Sequence, residues 1–511
     1  MKQRILAFFC AALLVLSFAS CAKQPAQEPE SETQTSAAGD DKTQKTMVTL
    51  PYTSADSLNP FETKSRVNLD IAGLLFDPLY QIDASFEAVP VLALSAENEG
   101  ESLTVTLRND VHFPKGELLT ARDVVYSFQC AKESPMFSAR LENIFSASAV
   151  SDDAVRFTLL SPDRFAVNCL DFPVVKFSTG DAKMPTGTGR FLYKAKKDGT
   201  VRLLRNEETS SFDDIAFLQI ALYDIRETAN ALPLVEIGQL SSFLLDPAKQ
   251  AMEKVGGKME TVHMNNLVFC GMNSTGELLS DPAVRQAIAA AVDRTALSER
   301  AFSAAATPTQ TPFHPSWGVL DASLQTPVYD TERAKELLEN AGYVYGSSGK
   351  VRAKEDTVLT LRLLCNSENK QRLSAAKQLQ EMLSAVGIGT ELETLDYSSY
   401  IARLKSGAFD LYLGEVKLPA NMSLSAFFNE DGGAAFGIDP QGSVSASYAQ
   451  LVSGEAEMAT FIKVFTQELP FLPLCFRDAY LYYTSELTYE GEVSENALYG
   501  NLYSWRLKSD A

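Results

Sequence analysis

The chain has 511 residues, with 65 acidic against 45 basic side chains and a formal net charge of -20. That length exceeds one ordinary core, so two or three lobes are expected. The acidic surplus, unrelieved by any basic cluster, argues against nucleic acid or an anionic lipid surface as partner.

Lys2 and Arg4 precede an apolar run over residues 5–18, which ends in the small residues Ala19 and Ser20 just before Cys21. A charged start, a short apolar core and a small-residue exit make a secretory signal over residues 1–20. With the cysteine in place, the segment resembles the lipobox of bacterial lipoproteins, which implies lipidation of Cys21. Phe18 departs from the aliphatic residue usual there. The alternative is an uncleaved membrane anchor, since the run approaches the length of a span. In either case the bulk of the chain leaves the cytoplasm. Residues 22–46 hold no Leu, Ile, Val, Met or aromatic residue, so 21–46 reads as a lipidated cysteine on a disordered tether. Such a coil reaches roughly 25–30 Å.

Hydrophobic periodicity begins at Met47. Residues 103–108 alternate as a half-buried strand. Thr120 and Asp123 form a capping box ahead of an apolar helical run. Gly187-Thr188-Gly189 reads as a turn entering a strand, and lacks the Lys-Ser/Thr of a phosphate loop. Asp281-Pro282 opens a helix, and Asp330 opens another that stops at Gly342. Residues 307–315, with three prolines, read as a loop. Residues 358–413 then run strand, helix, strand, helix, strand, with the first helix stopping at Gly387. That rhythm predicts a wound α/β lobe, with ligands beyond strand ends, where Gly414-Glu415 is placed.

Cys130, Cys169, Cys270, Cys365 and Cys475 are scattered and lack CxxC spacing. They read as buried free thiols, with one disulfide left open. His112, His263 and His314 show no ligand spacing, so neither an imidazole metal site nor any cofactor is expected. No nucleophile elbow supports catalysis.

Several segments carry a family resemblance. They are residues 57–61 (Ser-Leu-Asn-Pro-Phe), 75–79 (Leu-Phe-Asp-Pro-Leu), 111–116 and 119–127, then Gly187-Thr188-Gly189-Arg190-Phe191. Residues 282–294, 334–343 and the paired prolines Pro470 and Pro473 complete the set. In this order they resemble the large extracytoplasmic solute-binding proteins of ABC importers, family 5, of the oligopeptide, dipeptide and nickel type. The resemblance implies an α/β fold of periplasmic-binding-protein type II, with two hinged lobes and a cleft. Lobe I would comprise 47–80, 184–262 and 478–511, with an additional domain at 81–183 and lobe II at 263–477.

In peptide-binding relatives an acid four residues before a proline holds the peptide ammonium. Glu415, ahead of Pro419, falls on that position, with Tyr412 where the family has Trp. A solvated loop acid is the alternative for Glu415. Asn59 and Trp317 are further candidate ligand contacts; Tyr52 and Phe61 read first as core or turn residues, and His314, like Trp317, follows the proline loop on the side expected to face the cleft. The implied protein is a monomeric, non-enzymatic receptor at the outer face of a bacterial membrane. Its partners are a peptide or other small solute and the permease and ATPase subunits. A sensor lipoprotein of the same fold and, more remotely, an extracytoplasmic hydrolase are the alternatives.

Overall fold

The computed structural model describes residues 47–508, apart from 196–199, 209–214, 229, 251–257, 326–328 and 347–348. Cys21, the signal and the tether lie outside the described residues. Residues from Lys45 onward form one compact unit.

Three larger sheets organise this body. In the first, Val48–Tyr52 pairs in parallel with Gln219–Asp224, and Val201–Arg205 and Phe191–Ala195 follow antiparallel. The Gly187 turn feeds that sheet because Gly187 and Gly189 lie against the Leu75 carbonyl. A Cβ on either would come within 2.3 Å of Leu75 backbone atoms. The second sheet is antiparallel: Ala93–Glu99, Ser102–Leu107, Ala154–Leu159, Ile144–Ser151. Ser102–Leu107 alternates inward Leu103, Val105 and Leu107 with outward polar residues, the period of a strand with one wet face. Behind it lies the helix Ala121–Glu133, entered where Asp123 accepts from the Thr120 amide at 2.9 Å.

The third sheet is mixed, with the order Ser242–Leu245, Phe471–Tyr483, Lys258–Met272, Leu411–Lys417, Thr360–Asn366, Gly389–Leu395. Its parallel part is the expected wound segment. Thr360–Asn366 and Gly389–Leu395 pair in parallel around the helix Lys370–Ala385, whose cap residue Asn369 accepts from the Arg372 amide. Gly342 and Gly387 follow their helices at φ of 92° and 88°, a conformation that favours glycine. Two details differ from the sequence reading. Ala306–Pro308 adds a short strand to Phe471–Tyr483, so the proline-rich loop starts later. Glu415 lies within the Leu411–Lys417 strand, not past its end, because antiparallel pairing with Lys258–Met272 carries the strand on to Lys417.

The Lys258–Met272 and Phe471–Tyr483 strands run through both main cores. Val262, Ala479, Leu481 and Tyr483 pack with the first and second sheets. Leu267, Val268, Phe269 and residues 471–476 pack with the third-sheet helices. The changeover falls where the strand register breaks between His263 and Leu267.

Candidate ligand-binding site

The register break gathers polar side chains in the middle of otherwise apolar strands. Phe471–Tyr483 is buried along its whole length, yet carries Arg477 and Asp478. The Arg477 side chain is only 9% exposed and donates to Glu415 Oε1 at 2.9 Å and to Asp246. Asn266 Nδ2 donates to the same Glu415 oxygen at 2.9 Å. Asp478 Oδ1 lies 2.8 Å from His263 Nδ1, and its Oδ2 accepts from Thr307 at 2.9 Å. His314 is fully buried against Phe86, Phe476 and His263. Burial, reinforced by His263, pushes its pKa well below the ordinary value and keeps the ring neutral. The group sets three carboxylates, Asp246, Glu415 and Asp478, against the Arg477 guanidinium, His263 and the exposed Lys249, 3.7 Å from Asp246.

A second ionic group lies beside it. Lys417, at the end of the Glu415 strand, donates to Glu495, which also accepts from Arg66 at 3.3 Å and from the Asn265 amide at 3.1 Å. Arg66 is shared with Asp70 at 2.7 Å. Burial favours the protonated acid at Glu495, but the attraction of Lys417 and Arg66 outweighs it and holds the pKa down to about 2. Lys417 belongs to the third sheet, whereas Arg66 and Glu495 flank the first core, so this group ties the two together.

A cavity of about 960 Å³ opens between residues 139–165, next to the second sheet, and residues 419–455. Its wall includes Trp317, Phe165, Tyr448, Asn421 and Asp163. Asn421 donates to Asp163 at 2.8 Å across that boundary. A space of that size, mixing aromatic and polar walls, suits a small organic solute.

The expected site residues separate clearly. Glu415 is present in a polar, semi-buried group, already paired with Arg477. Trp317 lines the cavity, although it is largely buried against Phe165 and Phe313. Tyr412 is a core residue: its ring lies over Gly271, and its hydroxyl donates to the Ala434 carbonyl at 3.0 Å. Asn59 is fully buried, donating to the Gly180 and Ala182 carbonyls and accepting from the Phe61 amide, so its polar atoms are spent on a turn. Tyr52 is buried in its strand. The five described cysteines are free thiols, and all but Cys130 are buried. The histidine spacing misleads, since His263, His314 and Asp478 meet with ligand atoms within 4.8 Å of one another. Sequence reasoning missed Arg477, Asp478, Asp246 and Asn266. The available signal was an adjacent Arg-Asp pair inside an apolar strand.

Among the described residues no helix is long and apolar enough to cross a membrane. The profile of the bacterial extracellular solute-binding proteins, family 5 Middle, matches residues 87–432. The oligopeptide-binding protein AppA of Bacillus subtilis is 25% identical over 378 residues, covering 69% of each chain. A nickel-binding periplasmic protein of Escherichia coli is 24% identical over 363 residues, covering 66% of this chain and 69% of its own. The unliganded open form of MppA, a periplasmic murein tripeptide binding protein, superposes with a TM-score of 0.75 at 16% identity, covering 91% of this chain and 97% of its own. With a two-core body, a cavity and a family profile spanning most of its length, the chain belongs to the bacterial extracellular solute-binding proteins, family 5.

Proposed function

We propose that this chain is the solute-capturing receptor of an ABC importer. It takes a peptide or related amine-bearing solute between its two halves and presents the closed form to a membrane permease. The changeover of both long strands between two cores carries this reading. Such paired crossings allow one half to rotate on the other, and a ligand that touches both halves favours closure. The same changeover supports lobe boundaries at 262/263 and 477/478, with 81–183 packed on the first lobe.

The excess of Asp246, Glu415 and Asp478 over Arg477 and Lys249 supports a cationic ligand group. An ammonium entering beside Glu415 completes the charge balance by a charge-assisted hydrogen bond. Trp317, on the cavity wall, is a second candidate contact, in a space that Glu415, Arg477 and Asp478 do not line. Binding is the whole activity, with no turnover. Relatives named for oligopeptides and for a murein tripeptide support the peptide class. Lipidation at Cys21 anchors the receptor outside the cell membrane, where it docks as a monomer.

The test compares a library of short peptides with the same library N-acetylated, by calorimetry on the full chain. Free amines should bind at least tenfold tighter, and Glu415→Gln should remove most of that difference. Equal affinity for both libraries would sink the amine anchor. Failure of every peptide and small solute to bind would sink the receptor reading.

A further inference from the structure

We propose that His263, His314 and Asp478 form a site for one resident divalent transition-metal ion of the zinc class. The ion would sit at the point where the two long strands pass between the cores. This goes beyond solute capture; Asp478 also belongs to the acidic group beside Glu415, so solute binding is measured with and without the ion.

Donor chemistry comes first. Two imidazoles and one carboxylate suit a borderline ion such as zinc or cobalt, rather than calcium or magnesium, which take oxygen ligands. The three donors come from separate elements: His263 from Lys258–Met272, Asp478 from Phe471–Tyr483 and His314 from the loop after Ala306–Pro308. Candidate ligand atoms on all three lie within 4.8 Å of one another.

The second observation is an unspent buried atom. His314 is fully buried, and its Nε2 has no hydrogen-bond partner. Buried polar atoms are almost always paired, so an orphan calls for an occupant. On the other edge of the His314 ring, Nδ1 accepts from the Ser316 amide at 3.0 Å, so in the empty site Nε2 carries the ring proton and loading gives up that bond.

Geometry points the same way. Metal bonds of about 2.1 Å place two ligand atoms roughly 3.0 Å apart at a right angle and roughly 3.4 Å apart at the tetrahedral angle. His263 Nδ1 and Asp478 Oδ1 are 2.8 Å apart, while the set of three spans as much as 4.8 Å, so loading draws the three donors together around the ion. Thr307 steadies the other Asp478 oxygen at 2.9 Å, the outer support that metal carboxylates commonly have. The His263 side chain is 34% exposed, which provides the entry path and room for water ligands.

Loading moves two protons within rings and releases none from neutral ones. On His263 the proton passes from Nδ1 to the exposed Nε2. On His314 it passes from Nε2 to Nδ1, and the Ser316 amide turns away from the ring. Each ring therefore changes tautomer, which nitrogen NMR reads directly.

The test strips the full chain with chelator and titrates it with zinc chloride, in the absence of solute. Cobalt substitution then reads the ligand field by visible absorption. One ion per chain is expected, with a cobalt spectrum of nitrogen and oxygen ligation and tautomer changes at both rings. His263→Gln and His314→Gln should each weaken binding at least 100-fold, whereas His112→Gln should leave it unchanged. His263→Gln alters a partly exposed ring and should fold normally by circular dichroism, so it decides the matter if the buried variant does not fold. Absence of stoichiometric binding, or equal affinity in His263→Gln and the parent (adventitious surface ions only), overturns the site. Solute affinity is measured separately, so failure here leaves the receptor reading intact.

Discussion

Replacing Glu495 by Gln removes the acid that joins Lys417 of the third sheet to Arg66 beside the first core. The Glu495 side chain is 3% exposed, while those of Lys417 and Arg66 are 50% and 28% exposed. Moving a carboxyl from its ordinary 4.5 to about 2 is worth about 3 kcal/mol. The variant strands little charge, because Lys417 can turn to water and Arg66 keeps Asp70. The expected loss at neutral pH is therefore about 2–3 kcal/mol, the lower end for a broken buried pair. In urea, that lowers the midpoint by roughly 1 M for a slope near 3 kcal/mol/M.

The sign of the pH dependence follows from the depressed pKa. The stabilisation is fully present above about pH 4.5 and is lost as pH falls toward 2. The gap between parent and variant should thus be constant from pH 7 to 5 and close below 4.5. The two tryptophans make a natural assay, since Trp505 reports the first core and Trp317 the other. In the parent their transitions should nearly coincide, and in Glu495→Gln they should separate. A loss below about 0.5 kcal/mol, or a gap that does not change between pH 5 and 3, would refute the claim that this acid couples the halves.

Other outcomes follow from the same geometry. Gly189→Ala drives a Cβ to 2.3 Å from the Leu75 carbonyl carbon and should destabilise by about 2–4 kcal/mol in urea unfolding, because backbone must move. Phe427→Ala removes a ring stacked on Phe471 at 3.9 Å and 11° and should cost about 3–5 kcal/mol, read by the Trp317 transition. Asn59→Ala strands two carbonyls and an amide and should cost about 2–4 kcal/mol, while solute affinity by calorimetry stays within about twofold. Trp317→Ala should instead weaken solute binding more than it changes the Trp505 transition.

Local chemistry made much of the fold readable. The caps at Thr120, Asp281 and Asp330 and the stops at Gly342 and Gly387 act within one helical turn, so their signals are contiguous in the chain. The strands at 103–108 and 358–364 announce themselves by alternation or apolar content. The family motifs also have physical content. Arg285 and Arg294 are buried and spend their guanidinium groups mainly on carbonyls, including those of Leu279 and Pro473. They are staples of the fold rather than ligand contacts.

The site was less legible because it is assembled by register. Glu415 reads as a loop acid until its strand is seen to pair with Lys258–Met272. His263, His314 and Asp478 are far apart in sequence and meet only because two strands and one loop converge. Tyr412 and Asn59 fell at family cleft positions, but a neighbouring glycine and a set of turn carbonyls claim them. No periodicity in the chain distinguishes a spent polar group from a free one.

Native mass spectrometry of the purified full chain tests the central claim most directly. The account predicts a co-purified or added amine-bearing solute bound one to one, with the complex weakened in Glu415→Gln. A chain that stays empty against peptides and small solutes alike would contradict it.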